Sequence, residues 1–295
     1  MQLQQLAYFV EVAHTRHFTR AAENLGVTQP TLSKQIRVLE RSVGTRLFSR
    51  SPSGITLTSA GEALFPHAQR MLINADSALR SIGEVAELRR GRVRLGATPS
   101  TLDGLLPPIL MDFHQRYPGV ELEVHEAGSR VLAEELANGN IDIALLIVPV
   151  TTDAPDIETT IVYREKLLLA SPPNSAIGPA IEISDLATLP LVMFREGYDL
   201  RDVTLRACAS AGFEPRFAIE GGEMGSVLRF VEAGLGHAVV PDIALRNRHN
   251  LRTSHIVNPP LERHLAVAHR EPTTLPLAVQ AFRSMLLDGL AAPGA

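Results

Sequence analysis

Six side chains in one short stretch, Gln29, Thr31, Ser33, Lys34, Arg37 and Arg41, are of the types that meet nucleic acid. Amide and hydroxyl groups pair with base edges, and guanidinium and ammonium groups pair with phosphate. At about 100° per residue from Pro30, Ser33, Lys34, Arg37 and Arg41 fall within roughly 60° of one line along a helix. Leu32, Ile36, Leu39 and Val43 fall on the far side, so one face packs while the other is free to read DNA. A lone helix of this kind could equally be an ordinary amphipathic helix with a solvated charged face.

The flanking elements favour the first reading. Thr28 stands at an N-cap position, and Pro30 sits in a first turn that tolerates a missing N–H. Before them, Thr19 is placed to cap a shorter helix whose Ala21 and Ala22 permit close helix–helix approach, and Gly26 makes the turn. Leu3, Leu6, Val10 and Ala13 repeat at helical spacing and supply a third helix. Beyond them, Ile55 and Leu57 alternate with Thr56 and Thr58 behind Pro52 and Gly54, the pattern of a short hairpin. Together these elements form a winged helix-turn-helix, whose second helix enters the major groove.

The string AYFVEVAHTRHFTRAAENLGVTQPTLSKQIRVLERSVGTRLFSR, followed by LTSAGEAL, resembles the N-terminal domain of LysR-type transcriptional regulators. The resemblance implies double-stranded promoter DNA as partner and a homodimer or homotetramer. It also implies an effector-binding domain answering to a small molecule, with consequences for RNA polymerase. Thr28, Gln29, Pro30, Thr31, Ser33 and Lys34 are expected near the bases, with Arg37, Arg41 and Arg50 on phosphate or in the minor groove. The wing, Ser51-Pro52-Ser53-Gly54, has no basic residue of its own, which leaves Arg50 as its nearest candidate.

Composition agrees. Of 295 residues with a net charge of -4, the first sixty hold seven basic and three acidic side chains, a balance of +4. A basic head on an acidic body suits one DNA-binding module joined to something else. There is no apolar run of spanning length and no signal-peptide layout, so a cytoplasmic protein without a membrane partner is expected. The single cysteine, Cys208, excludes an internal disulfide and argues against the two-cysteine peroxide sensing of some LysR-type members; its apolar helical setting reads as structural. Ten scattered histidines make no metal motif, and neither a nucleophile elbow nor a P-loop is present. No enzyme activity, metal or cofactor is expected.

Three regions are expected: a winged helix-turn-helix over 1–58, all-α with a small β wing; a linker helix over 59–90; and a two-lobed α/β effector domain over 91–295. The linker would run about 45 Å at 1.5 Å per residue, with Ala68, Met71, Ala75, Ala78, Ile82 and Val85 as its pairing seam. In the effector domain, strands and helices alternate, with Asp103–Tyr117 as one helix and mainly parallel strands. Lobe I takes about 91–163 and 265–295, and lobe II about 164–264. This layout resembles LysR effector domains, themselves similar to periplasmic solute-binding proteins of type 2.

Open α/β sheets bind ligands where strands end and helices begin. That rule selects Thr98, Ser100 and Thr101 after the first strand, Ser129 after the second, and the segment from Gly222 to Ser226. Ile147 to Pro149 would make an apolar wall. The family resemblance places Ser100, Thr101, Ser129 and Met224 at the cleft. Arg195, and Arg201 after it, are candidates to pair with an anionic effector.

Overall fold

The computed structural model describes residues 1–51, 54–84, 91–150, 157–246, 248–271 and 275–291. The chain forms two compact units, Met1–Gly83 and Glu84–Ala295.

The first unit contains α1 (Leu3–Thr15), α2 (Phe18–Asn24), α3 (Gln29–Val43), the hairpin β1 (Phe48–Ser51) with β2 (Gly54–Leu57), and α4 (Ser59–Glu84). Leu6, Phe9, Val12, Ala21, Ala22, Leu32, Ile36 and Leu39 form its core. Full burial of each large side chain there contributes about 1.5–3 kcal/mol. Phe48, at the start of the wing, lies 5.3 Å from the Phe9 ring and 6.0 Å from Phe18, which anchors the hairpin to the helices. Gly26 closes the turn between α2 and α3 at φ +65°, a conformation that a side chain would strain.

Three local expectations are corrected. The buried stripe of α1 runs through Leu6, Phe9 and Val12, while Leu3 is 51% exposed. Thr19 lies inside α2; the N-cap is His17, whose ring Nδ1 accepts from the Arg20 N–H at 3.4 Å. Ala68 does not begin a free seam on α4, because it is fully buried in the core of its own unit with Leu64, Phe65 and Leu72 around it. Of the other positions expected in that seam, Met71 is 41% exposed. Residues 85–90, expected to end the linker helix, lie outside the described residues, as do the side chains of Ile82 and Val85.

The second unit begins with β3 (Gly91–Ala97), α5 (Pro99–Gly104), α6 (Leu106–Arg116), β4 (Val120–Glu126), α7 (Ser129–Asn138), β5 (Ile143–Val148) and β6 (Ile157–Ser171). It continues with β7 (Ala180–Glu182), β8 (Pro190–Phe194), α8 (Asp199–Ser210), β9 (Arg216–Gly222), α9 (Met224–Glu232) and β10 (Ala238–Pro241). β11 (Arg252–Val257), β12 (Glu262–Arg270) and α10 (Leu277–Ala291) complete it. The single helix expected over Asp103–Tyr117 is two, because Pro107 and Pro108 favour a fresh first turn after Leu105.

The sheet is more mixed than the alternation of elements implied. β3 pairs in parallel with β4 and β5, and β8 with β9, but β12 is antiparallel to both β5 and β6. β6 is the strand that changes partners. Its residues 157–166 pair with β12, and 167–171 pair with β10 and β11. Each side has its own core, lobe I around Leu95, Phe113, Leu145 and Phe282, and lobe II around Leu169, Val192, Phe194 and Leu228. The boundary expected at residue 164 falls within β6.

Candidate nucleic-acid interface and effector cleft

α3 exposes Thr28 at its N-cap and then Gln29, Pro30, Thr31, Lys34, Arg37 and Arg41, while Leu32, Ile36 and Leu39 are buried. The Thr28 side chain does not cap a backbone N–H; its hydroxyl pairs with the Thr31 hydroxyl at 2.8 Å. Arg37 and Arg41 are laid along the helix, their Nε groups donating to the carbonyls of Ser33 and Arg37, both at 3.3 Å. Two residues sit differently from the expected faces. Ser33 is only 8% exposed and accepts a hydrogen bond from Gln29 Nε2 at 2.8 Å, and Val43 is 37% exposed. Ser33 therefore orients Gln29 rather than standing free. A groove of about 740 Å³ runs between α3 and the base of the wing, lined by Gln29, Ser33, Arg37, Arg46 and Ser49 among others. Arg50 lies in β1 opposite Ile55, and its side chain is outside the described residues, as are Pro52 and Ser53.

In the effector unit, a cavity of about 580 Å³ opens between the lobes. Ser129 and Ile147 line it from lobe I, Gly197, Asp199 and Asp202 from lobe II, and Arg263 from β12. Ser129 Oγ donates to Asp199 Oδ2 at 2.6 Å and accepts from the Ile147 N–H at 3.0 Å. Arg263 is buried, donates through Nε to Glu165 Oε2, and through Nη2 to Ser100 Oγ at 2.7 Å. Glu165 is fully buried; burial pushes its carboxyl upward while Arg263 pulls it back, and its second oxygen has no hydrogen-bond partner. Burial also raises Asp242 and the phenol of Tyr198, and the Tyr198 hydroxyl is buried without a partner.

The other expected effector residues do not line this cavity. Thr98 and Thr101 are buried, and their hydroxyls serve each other at 3.1 Å, with Thr101 also donating to the Thr98 carbonyl at 2.8 Å. Met224 is 3% exposed within the lobe II core. Arg195 pairs with Glu223 at 2.9 Å with half its side chain exposed, and Arg201 pairs with Glu220 at 2.7 Å.

A family model described as the LysR substrate binding domain matches residues 86–291. Another, described as a bacterial regulatory helix-turn-helix protein of the lysR family, matches residues 3–62. The chain belongs to the LysR family of transcriptional regulators.

This LysR-type chain is 34% identical to the transcriptional dual regulator GltC of Bacillus subtilis, over 82% of its own length and 81% of the relative's. It is 30% identical to the uncharacterized HTH-type regulator YwbI of the same organism, over 96% and 94%. Full-length OxyR from Pseudomonas aeruginosa, solved as a variant, superposes with a TM-score of 0.72 at 27% identity, covering 99% of this chain and 98% of that one. CbnR complexed with its target DNA shares the fold at 24% identity, with a TM-score of 0.63 over 98% and 100%. The matched relatives are regulators, and this chain is a DNA-binding regulator with an effector-binding domain rather than an enzyme. Among the described residues no helix is long and apolar enough to cross a membrane, and no group of metal-binding side chains converges. Cys208 is buried, and burial pushes its thiol up to about 11, so it stays neutral and unreactive at ordinary pH.

Sequence reasoning passed over Asp199, Arg263, Glu165 and, on the DNA side, Arg46. Asp199 could have been found by the rule that selected Ser129, because it opens the helix that follows β8. Arg46 follows the end of α3 within the basic head, a signal of charge alone. Nothing local marks Arg263 and Glu165, which lie 98 residues apart.

Proposed function

We propose that this regulator binds promoter DNA in the cytoplasm as a homodimer or homotetramer, through paired winged helices, and alters RNA polymerase access when a small metabolite occupies the interlobe cleft. The observation that carries the reading is α3 itself. Gln29, Thr31 and Lys34 are exposed at its leading end with Arg37 and Arg41 behind them, on a helix whose opposite face is locked by Leu32, Ile36 and Leu39. Gln29 and Thr31 read base edges, Ser33 holds Gln29 in place, and Lys34, Arg37, Arg41 and Arg50 neutralise phosphate or enter the minor groove. Met71 and the positions a turn beyond it on α4 supply the pairing face, so that two heads meet half-sites separated by turns of the duplex.

The effector acts by population shift: it changes the fraction of time the lobes are closed, to the extent that it binds one state better. Ser129 and Ile147 form one wall of its site, Asp199 the other, and Ser100 and Arg263 the link between site and hinge. Footprinting on the regulator's own upstream region, with and without candidate metabolites, tests the whole scheme. A protected pair of half-sites that lengthens, shortens or gains a bend with one metabolite is expected. Specific protection retained by a chain lacking residues 1–60 would sink it.

A further inference from the structure

The place where an anionic effector would enter this cleft is already filled by the protein. α7 has ten residues and begins at Ser129, so its first N–H groups lack intrahelical partners and its end carries partial positive charge. Facing it from the other lobe is Asp199, the first residue of α8. The Ser129 hydroxyl reaches Asp199 Oδ2 at 2.6 Å, and the Ser129 backbone N–H approaches the same oxygen at 3.4 Å. Because Ser129 Oγ accepts from the Ile147 N–H, its own proton is directed at the carboxylate. The backbones close up at the same point: a Cβ on Gly128 would stand 3.8 Å from the Gly197 carbonyl oxygen.

Three arginines line the same cavity: Arg263 holds Glu165, Arg130 pairs with Glu134 at 3.4 Å, and Arg206 stands one helical turn beyond Asp202 on α8. Asp202 and Glu262 are further acidic groups of its wall.

We propose that Asp199 is a built-in carboxylate that takes the position of an anionic ligand at the start of α7, and so reserves that end of the cleft for uncharged or amine-bearing groups of the effector. This rests on the cleft being the effector site. An entering carboxylate or phosphate would find its serine and N–H donors engaged and a like charge beside it. A neutral polar or cationic ligand meets no such repulsion.

Acetate is the probe, with sodium chloride of equal ionic strength and acetamide as controls, on the full chain and its Asp199→Ala and Asp199→Asn variants. Calorimetry and thermal unfolding are read together. Wild type is expected to show no saturable acetate binding. Asp199→Ala is expected to bind acetate at least about tenfold more tightly than wild type and to be stabilised by it, with no response to acetamide. Asp199→Asn, isosteric and uncharged, is expected to lie between them and serves if the alanine variant does not fold. Saturable binding of acetate by wild type as tight as by the variants would overturn the proposal, as would variants that gain nothing. The readout needs neither DNA nor the natural effector, so its failure is distinct from a failed footprint.

Discussion

Replacing Arg263 by alanine removes the cation that pairs with the fully buried Glu165 carboxyl. Arg263 has 4% of its side chain exposed and Glu165 none, so neither partner is screened by solvent. Breaking a buried pair from one side costs about 3–5 kcal/mol, because the remaining charge stays desolvated. The bond from Arg263 to Ser100 Oγ at 2.7 Å is lost as well. The penalty depends on pH with a definite sign. Burial already holds the Glu165 carboxyl above its ordinary 4.5 with Arg263 present, and without Arg263 it rises further. A carboxyl whose folded pKa exceeds its unfolded one binds more protons when folded, so its contribution favours folding below the unfolded value and is lost as pH rises through the folded one. Arg263→Ala should therefore cost less at about pH 4.5 than at about pH 7.5, the part that remains at the lower pH coming from the lost bond to Ser100. Urea unfolding of the full chain followed by circular dichroism gives both numbers, read on the transition of the effector unit. Adding Glu165→Gln should recover most of the loss at the higher pH. An equal cost at both pH values, or a double variant no more stable than the single one, would refute the reasoning.

Arg37→Ala should weaken binding to all duplexes alike and reduce the slope of log K against log salt by about 1, as measured by fluorescence anisotropy over a salt series. Weakening confined to one operator would place Arg37 on a base instead. Gln29→Ala should cost about 1–3 kcal/mol at one base position in competition gel shifts. Ser33→Ala should mimic it, and the double variant should add little, because Ser33 acts through the 2.8 Å bond to Gln29. Cys208, with its thiol pushed up to about 11, should resist thiol reagents at neutral pH until the effector unit is unfolded, a contrast that a timed labelling assay detects.

The DNA-reading helix was legible because its pattern is one-sided. Leu32, Ile36 and Leu39 repeat at helical spacing, Pro30 marks the first turn, and the basic residues fall opposite. Ser33 was placed wrongly because it lies at the flank of that face, where only a tertiary neighbour decides burial. α1 misled for the opposite reason: Leu3, Leu6, Phe9, Val10 and Val12 make it apolar on most sides, so periodicity alone does not select the buried stripe. In the effector unit, the strand ends that line the cleft could be found from alternation, and Ser129 and Ile147 do meet in one cavity. The occupants of the cleft could not. Glu165 sits in a charged run, Arg164-Glu165-Lys166, that reads as solvated, yet period-2 alternation turns it inward with Leu167 and Leu169.

That inward turn falls where the sheet changes partners. Arg263 and Glu165 are direct register partners on β12 and β6, one residue before the last β12 pair, Glu262 with Lys166, and two before β6 turns to β10 at Leu167. A rotation of one lobe against the other must work through this strand, and Ser100 ties it to the start of α5. The Ser129–Asp199 bond lies elsewhere in the fold, between two helix starts, and holds the same lobes together. A hydrogen bond to a charged group contributes about 1.5–3 kcal/mol, which corresponds to roughly ten- to hundredfold in an equilibrium constant. An effector that opens the cleft must offset that amount through its own contacts, whereas one that binds the closed form leaves the bond intact and needs only a small preference. The second route is the cheaper one, so under the proposed scheme closure around a ligand that spares Asp199 is the expected effect of the effector.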